Sequence, residues 1–434
     1  MTFDQIAALL VLATVVGVLI HGRLRSDVAA LSGAAALLLL GVVRPVEVQA
    51  AFASPAIITL ASLFVIAYAI ELSGLLGLII RRASRMCERL GAAGLWLVIG
   101  LCGGASAFLN NTPIVVLAAP VVKDVAASLN LSPKRFLIPL SYVTIMGGAC
   151  TLIGTSSNLL VNDMARNAGQ PVFGIFEITA VGLAVALAGS LYLFLVGDRL
   201  LARRSEPDLG GVAPTREQTG DGLLGDEALF KAADRPFNLR RAVIALGAFV
   251  LVVAAAGLGM VPIAASAFAG AVALILLRVI NAEEAYAGLR PEVLLLIAGM
   301  VVIGLAIEIT GLAGSGTGLL IRVIEPFGPL AALAVLYGVT LFATELLSNA
   351  AVAVLITPVA VALAESLGVD PRPFLVGVMM AASAAFATPF GYQTNVIVFQ
   401  LGGYSYMDFV RVGVPLNFIT WGAAMLAIPR FFPF

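Results

Sequence analysis

The chain has 434 residues, of which 61% are hydrophobic and 12% charged, and its 25 Lys and Arg residues balance 25 Asp and Glu residues. A soluble domain carries about a quarter charged and roughly half apolar residues, so this composition indicates a polytopic membrane protein. With no net charge and no basic stripe, the sequence gives no reason to expect a nucleic-acid partner, and its three cysteines are too few for a disulfide framework.

The first apolar run, residues 4–20, is predicted to be a membrane span and not a signal peptide, because it lacks a basic leading segment and follows closely on Asp4. An apolar helix needs about 20 residues to cross the hydrocarbon core. On that criterion ten spans are predicted, near residues 4–20, 27–43, 55–73, 136–160, 176–198, 242–258, 261–277, 293–310, 373–398 and 412–429. Amphipathic segments at 74–90 and 311–326 are predicted to lie at the interface.

Two longer apolar regions, residues 91–130 and 327–368, have a polar break in the middle. Each is predicted to be a re-entrant hairpin, a pair of half-helices that enters and leaves the membrane on one side. The polar stretch at 199–241 is predicted to be a cytoplasmic linker without a core of its own, which divides the chain into residues 1–198 and 242–434.

The charge distribution predicts the orientation. With the N-terminus placed outside, the predicted inner loops together with Lys123 hold 20 of the 25 Lys and Arg residues, as the positive-inside rule requires. The sequence therefore predicts a multi-pass protein of the cell's inner (plasma) membrane, surrounded by the lipid bilayer, with both termini outside.

The two parts of the chain repeat one another. Residues 69–75 read AIELSGL and residues 306–312 read AIEITGL, 237 positions later, while LNNTPIVVLAAPVV at 109 meets LSNAAVAVLITPVA at 347. Each part has five predicted spans, an odd number, and one hairpin, so the second part is predicted to be inverted relative to the first. Inverted repeats are common in secondary transporters, whose sites lie near the midplane where broken helices meet.

Four polar breaks interrupt the apolar text, and the repeat pairs them: Asn110–Thr112 with Ser348–Ala350, and Gly154–Asn158 with Thr388–Asn395. Irregular backbone survives in hydrocarbon only where it is buried in protein or lines a polar cavity. Freed carbonyl groups and Asn oxygens suit a small cation, and the N–H groups at half-helix N-termini suit an anion. The breaks therefore predict a site that holds Na⁺ and an anion together, whereas an isolated Asn would ordinarily only join two helices.

Three carboxylates within the apolar segments have open roles. Glu345 lies four residues before Asn349, and its repeat partner is Ala107; it could bind the cation, carry a proton or cap a polar pocket, so it is a possible coupling residue. Glu71 and Glu308 end paired spans, which fits a transport role or helix termination equally. No His is placed to activate a Ser, so the chain is not expected to be an enzyme.

At the breaks the sequence resembles the divalent anion–sodium symporter (DASS) family of the ion transporter superfamily, over nearly the whole chain. That family carries Ser-Asn-Thr at each hairpin tip, where this chain reads Asn110-Asn111-Thr112 and Ser348-Asn349-Ala350. The sequence segments LNNTP and TLIGTSSNLL resemble the sulfate-associated bacterial and algal branch of this family more than the dicarboxylate carriers. The resemblance implies an all-α, elevator-type homodimer in which the hairpins and broken spans move against a scaffold of the first three spans of each half.

The resemblance and the breaks together assign residues to the site. The predicted substrate contacts are Asn111, Thr112, Thr155, Ser156, Asn349, Ala350, Thr388 and Pro389. The predicted Na⁺ ligands are Asn111, Gly154, Asn158, Thr344, Asn349, Ala387 and Asn395. Ala350 stands where the motif has Thr, which removes a hydroxyl group and weakens the match to the dicarboxylate carriers.

The sequence therefore predicts Na⁺-coupled symport of a small divalent anion, with sulfate ahead of C4-dicarboxylates, by an elevator mechanism. Glu345 keeps a second hypothesis open, a cation/proton antiporter or metalloid-oxyanion efflux permease of the same superfamily, with a proton as the coupled ion. A channel or membrane receptor is disfavoured, since channels do not need two mirrored gates. Asn111 is predicted to be the shared ion and substrate ligand, and Asn110 to shape the hairpin tip.

Overall fold

A computed structural model describes residues 2–21, 24–201, 236–312 and 328–434, and the regular structure within these ranges is helical. The first part contains α1 (Phe3–His21), α2 (Ser26–Leu39), α3 (Pro45–Phe52), α4 (Pro55–Leu72), α5 (Leu75–Leu90), α6 (Ala92–Ser106), α7 (Asn111–Ser128), α8 (Lys134–Gly148), α9 (Ser156–Asn167) and α10 (Thr179–Tyr192), which continues through a π turn (Leu193–Gly197) into α11 (Asp198–Leu201).

The second part contains α12 (Leu239–Gly257), α13 (Ile263–Leu276), α14 (Ala282–Gly288), α15 (Pro291–Ile309), α16 (Gly328–Thr344), α17 (Asn349–Ser366), α18 (Arg372–Ala382), α19 (Gln393–Gly402) and α20 (Tyr406–Phe431). The helix starts repeat as the sequence does, since α2 begins at Ser26 and α13 at Ile263, 237 residues later. The short helices α3 and α14, which lead into α4 and α15, were not predicted.

The contacts between the two parts come in matched pairs. Helix α2 packs against α15 as α13 packs against α4, and α7 packs against α19 as α17 packs against α9. A twofold relation between the parts would generate these exchanges, while the opposite membrane orientation of the parts stays a prediction. Helices α4, α12 and α13 share one apolar core, and the broken helices belong to the larger core that fills the rest of the fold.

Six helical segments in the described ranges are long and apolar enough to cross a membrane: Pro45–Leu72, Thr179–Gly197, Leu239–Gly257, Pro291–Ile309, Asn349–Ser366 and Tyr406–Phe431. The spans predicted at 27–43 and 261–277 form shorter helices of 14 residues each. The predicted interfacial segment at 311–326 lies almost wholly outside the described residues, as does most of the predicted linker at 199–241.

The spans predicted at 136–160 and 373–398 are not continuous helices. Each is two helices joined by an unwound segment, at residues 149–155 and 383–392. Close backbone packing fixes the first helix of the earlier pair, because Gly147 backs directly onto the carbonyl group of Gly103 in α6 and leaves no space for a Cβ atom. The polar breaks predicted at Gly154–Asn158 and Thr388–Asn395 overlap these unwound segments, which begin several residues earlier in each span.

The predicted hairpins consist of α6 with α7 and α16 with α17, and four residues separate the helices of each pair. Both second helices begin with a side-chain cap: Asn110 Oδ1 accepts from Thr112 N at 3.3 Å, and Ser348 Oγ accepts from Ala351 N at 3.3 Å. Such caps stabilise a helix start by about 1 kcal/mol. The tips are therefore defined structures, and their re-entrant path stays a prediction.

Candidate functional site

The first cluster of oxygen atoms lies where the tip before α7 meets the unwound segment before α9. A Cβ atom at Gly154 would lie 2.8 Å from the carbonyl oxygens of both Ser106 and Ala107, and closer still to that of Gly148. A Cβ atom at Gly148 would in turn lie 2.5 Å from Asn111 Oδ1. Only glycine leaves this space open, and the oxygen atoms that surround it are the hard ligands that small cations prefer.

Three side chains hold this first cluster in place. Ser106 Oγ donates to Asn111 Oδ1, and Thr151 Oγ1 donates to the carbonyl oxygen of Ala107. Asn158 Nδ2 donates to the carbonyl oxygen of Thr151 at 2.9 Å, while Asn158 Oδ1 is buried without a hydrogen-bond partner. Buried polar atoms are rarely left unpaired, so the free oxygen of Asn158 marks a place for a ligand or water.

The second cluster lies at the matching place in the second part. Thr344 Oγ1 lies 2.7 Å from both Asn349 Oδ1 and the carbonyl oxygen of Ala382. Asn395 Nδ2 donates to the carbonyl oxygen of Ala385 at 2.9 Å. Unlike its repeat partner Asn158, Asn395 has its side-chain oxygen occupied, because it accepts from Ser141 Oγ at 2.7 Å.

Glu345 lies inside the second cluster, and its carboxylate accepts from four donors. They are Ala387 N at 2.7 Å, Thr388 N at 3.0 Å, Thr388 Oγ1 at 3.0 Å and Asn417 Nδ2 at 2.9 Å. An ionised carboxylate only accepts hydrogen bonds, whereas a protonated one also needs an acceptor for its own hydrogen. Three of the four donors are N–H groups that can only donate, whereas the Thr388 hydroxyl can donate or accept, so the site holds an ionised Glu345 and also offers an acceptor to a protonated one.

A cavity of about 50 Å³ lies beside the first cluster. Its lining is Leu60, Leu63, Phe64, Ala67, Phe108, Asn110, Ile153, Gly154, Thr155, Ser156, Phe249 and Tyr392. Within the described ranges this lining contains no Lys or Arg side chain. The cavity brings together Gly154, Thr155 and Ser156, three of the predicted site residues, between α4 and the first hairpin tip.

Two residues that were not predicted, Tyr392 and Gln393, join the second part to the first tip. Asn111 Nδ2 donates to the hydroxyl of Tyr392 at 2.7 Å, and Thr112 Oγ1 donates to Gln393 Oε1 at 3.2 Å. The repeat could have found both, since they stand 237 positions after Thr155 and Ser156. It could likewise have found Ser106 and Thr151, the repeat partners of Thr344 and Thr388.

The remaining predicted substrate residues lie in or beside the second cluster. Thr388 is bound to Glu345, and the backbone N–H of Ala387 is occupied by the same carboxylate. Ala350 and Pro389 are buried and bring no polar side-chain atom to either cluster. Glu71 and Glu308 lie in the last turns of α4 and α15, away from the cavity lining.

Comparison with known proteins identifies the family. A model of the family described as citrate transporter (CitMHS) matches residues 10–371 of the chain. The chain belongs to this family. The resemblance to sodium-coupled anion symporters is thereby confirmed, as is the expectation of a transporter with several membrane helices.

Individual proteins that are similar to this citrate transporter family member are also named as transporters. An uncharacterized transporter of Synechocystis is 26% identical over 93% of this chain and 93% of its own length. The sodium-dependent dicarboxylate transporter SdcS of Staphylococcus saprophyticus is 25% identical, covering 89% of this chain and 78% of its own. Sodium/sulfate cotransporter 2 of Chlamydomonas reinhardtii is 38% identical over 23% of this chain and 12% of its own.

A solved structure shares the fold. Neisseria gonorrhoeae MtrF, described within a class of antimetabolite efflux pumps, superposes with a TM-score of 0.58 and covers 90% of this chain and 83% of its own. At 12% sequence identity this likeness establishes the all-helical fold alone.

Proposed function

We propose that the protein is a Na⁺-coupled symporter of a small divalent anion, sulfate or a C4-dicarboxylate, that moves its site by an elevator mechanism. The observation that carries the proposal is that an oxygen-lined cluster lies beside a cavity at the first hairpin tip, and that the described residues lining this cavity include no Lys or Arg. Asn111 belongs to the cluster, and its amide bonds Tyr392, which lines the cavity. Cation and anion would therefore share one residue.

The first cluster supports the cation half of the proposal. Carbonyl oxygens from two separate segments converge on Gly154, and Asn158, in the first turn of α9 that follows, has an unpaired side-chain oxygen. A bound cation would supply the missing partner for these oxygens and would also compensate the charge of an anion next to it. The anion and the cation would thus stabilise one another in an otherwise apolar region.

Two helix starts support the anion half. Helix α9 begins at Ser156 and α19 at Gln393, and the residues before them, Thr155 and Tyr392, make no side-chain cap. Both capping residues line the cavity, so uncapped backbone N–H groups and hydroxyl groups lie at its wall. The first N–H groups of a helix favour anions, which explains how a dianion could be held without Lys or Arg.

The difference between α4 and α15 supports the elevator motion. Gly304 of α15 closes on the broken helices, since a Cβ atom there would lie 2.8 Å from both Val354 and Met164. Its repeat partner in α4, Ala67, instead lines the cavity. Both scaffold helices contact α9, but at this repeated position α15 packs closely whereas the cavity lies beside α4, and exchange of these two arrangements would carry the site across the membrane.

The names of relatives support the ion and the substrate class. One relative is named as a sodium-dependent dicarboxylate transporter and another as a sodium/sulfate cotransporter. We extend both properties to this chain as part of the proposal, together with a homodimer in the inner membrane whose termini lie outside. Glu345 is proposed as a fixed negative charge beside the second cluster, which makes proton exchange the less favoured alternative.

Uptake into proteoliposomes tests the proposal. Labelled sulfate and succinate are offered with and without an inward Na⁺ gradient, and at least one should enter about tenfold faster with the gradient. The Glu345→Gln variant should need a higher Na⁺ concentration for half-maximal uptake and should show the same response to a pH gradient as the unchanged protein. If neither anion enters in response to Na⁺, the symporter proposal is wrong; if a pH gradient drives uptake and Glu345→Gln abolishes that response, the proton alternative is right.

A further inference from the structure

Asp163 is a buried carboxylate at the place where the broken helix α9 packs against the start of the scaffold helix α4. It is 2% exposed, and it lies beside the Ser54 side chain and the backbone N–H of Ala56, at the first residues of α4. The lining of the cavity does not include Asp163. The proposed transport site therefore makes no use of this carboxylate.

The charge of Asp163 is poorly compensated in this position. Neither carboxylate oxygen has a hydrogen-bond partner of normal geometry, and Arg166 Nη1 lies 3.6 Å from Asp163 Oδ1 on a side chain that is 42% exposed. Asp163 lies just past the predicted span at 136–160. Burial raises the pKa of its carboxyl group, and the neighbouring groups offset only part of the rise. The ionised form is therefore disfavoured while α4 covers Asp163, and a proton removes the unfavourable charge.

Among the described residues, the charge that acts on Asp163 comes from its own helix. Helix α9 packs against α4, α15, α17 and α18. Only the charge of Arg166, on α9 itself, influences the Asp163 carboxyl group. The cover that α4 provides thus determines how readily Asp163 takes up a proton. The ionisable side chains on the four packed helices are Tyr68, Glu71, Glu292, Glu308, Glu365 and Arg372.

The repeat places this carboxylate in one half only. Asp163 corresponds to Gln400, which lies 237 positions later on α19. Asp163 is buried in this structure, whereas Gln400 is exposed. In the exchanged arrangement Gln400 would be covered and Asp163 would reach water. Only the arrangement seen here therefore buries a carboxyl group at this repeated position.

We infer that Asp163 is a proton-binding site that links the conformation of the protein to pH: a proton on Asp163 favours the docked arrangement, in which α9 packs on the start of α4, and the ionised carboxylate favours release of α9. The inference rests on the proposed function, because it needs the elevator exchange. The predicted orientation places the start of α4 and the end of α9 on the outer side, so the outer solution supplies and removes this proton.

A proton stabilises the docked arrangement because the docked carboxyl group binds it more tightly than the released one. Released Asp163 has the ordinary aspartate pKa of about 3.9, and burial raises the pKa of docked Asp163. The stabilisation is therefore present below the raised pKa and is lost as the pH rises through it. We expect the ratio of docked to released protein to be at least threefold higher at pH 5 than at pH 8.

Spin-label distances test the inference directly. The labels are attached at Phe52→Cys and Asn167→Cys, in a background without the native cysteines and in lipid nanodiscs. Phe52 ends α3 just before the start of α4, Asn167 ends α9, and both residues are exposed. Double electron–electron resonance then measures the fraction of protein with the shorter, docked distance at pH 5 and at pH 8.

Asp163→Asn keeps the size of the side chain and removes its titration. This variant should have the same docked fraction at both pH values, at the level that the unchanged protein reaches at pH 5. Asp124→Asn is the matched control, because Asp124 is exposed on α7, and it should keep the pH dependence. Size-exclusion profiles check that each variant is folded.

Three results would overturn the inference. The first is an unchanged protein whose docked fraction does not vary with pH, and the second is an Asp163→Asn variant that keeps the variation. The third is a lower docked fraction in Asp163→Asn, which would mean that the carboxylate holds α9 on the positive end of α4 and does not oppose docking.

The symporter proposal fails in a different way, because the distance measurement needs no substrate. Absence of Na⁺-dependent uptake of both sulfate and succinate contradicts the symporter proposal, whatever the distances are. Normal uptake with distances that do not vary with pH leaves the symporter proposal standing and removes Asp163 as a proton site.

Discussion

Within the described residues, the two halves of the molecule share the helices around the polar breaks and differ in the sites that these helices form. In the first, Gly154 faces the carbonyl oxygens of Ser106 and Ala107, and the oxygen of Asn158 is unpaired. In the second, a Cβ atom at the matching Gly391 would lie 3.0 Å from the Thr388 hydroxyl and 3.2 Å from the Glu345 carboxylate. The repeated backbone therefore presents only neutral oxygens in one half and the carboxyl group of Glu345 in the other.

Neither Glu345 nor its hydrogen-bond partner Asn417 has a polar counterpart in the first half. Gly182 of α10 packs closely against Cys150 in the unwound segment of the first half, and Gly413 of α20 packs closely against Ala387 in that of the second half. Counting four residues onward from each glycine pairs Ala186 with Asn417, the amide that donates to Glu345. Both members of the Glu345–Asn417 pair thus correspond to alanine in the first half.

This difference shows how a duplicated chain acquires two unequal sites without a change of fold. Helix boundaries, caps and glycine positions are kept because the packing of the broken helices depends on them. The first half has an open space lined by oxygen atoms, and in the second half the carboxyl group of Glu345 lies in the corresponding space.

The largest expected effect comes from removing the aligned asparagines one at a time. Asn111→Ala leaves Ser106 and Tyr392 without their shared partner, and each buried group left unpaired costs about 1–3 kcal/mol. Uptake should fall about 100-fold, to background. Asn349→Ala breaks the bond with Thr344, and uptake should fall about tenfold because Glu345 still supplies charge at that cluster.

Initial uptake rates normalised to the reconstituted protein measure this prediction, and size-exclusion profiles check that each variant is folded. Equal losses in the two variants would mean that the halves contribute alike, contrary to the contrast between their clusters. A larger loss for Asn349→Ala would place the shared ligand in the second half.

The sequence predicted the parts of this molecule that the repeat and apolar composition encode. Asn111 and Gly154 were predicted from the breaks and Thr344 from the family resemblance, and each lies within one of the two clusters. Tyr392 and Gln393 were missed, because the repeat aligns them with Thr155 and Ser156, and a match in position does not reveal that longer side chains cross to the opposite half. The breaks inside the spans at 136–160 and 373–398 were predicted from their polar residues, but their bounds were not, since apolar residues also flank the unwound segments at 149–155 and 383–392.

An intermediate effect is expected from the packing of the two scaffold helices. Gly304→Val would force α15 away from Val354 and Met164, whereas Ala67→Val would extend into the cavity. Gly304→Val should destabilise the conformation seen in this structure, in which α15 packs on Val354 and Met164, and Ala67→Val should favour that conformation. Each change is expected to be about 1.4 kcal/mol, which corresponds to a tenfold change in the population of the conformation. Both should slow uptake, because transport needs both arrangements.

Thiol labelling distinguishes the opposite population shifts expected for Gly304→Val and Ala67→Val. In a background without the native cysteines, Leu63→Cys lies in the cavity wall and should react with a membrane-impermeant reagent. Gly304→Val should lower that reactivity and Ala67→Val should raise it. Shifts of the same sign in both variants would contradict the idea that the halves exchange roles.

The smallest effect is expected at Asn110, where the two tips already differ by one residue. Asn110 Oδ1 caps α7, and Ser348 Oγ caps α17 in the same way. Serine and asparagine are about equally good caps, so Asn110→Ser makes the first tip like the second and should change uptake less than about twofold. Asn110→Ala removes the cap and should destabilise the tip by about 1 kcal/mol, measured as a lower thermal unfolding midpoint. Asn110 also lines the cavity, so an Asn110→Ser loss as deep as that of Asn111→Ala would make its amide a substrate ligand and not only a cap.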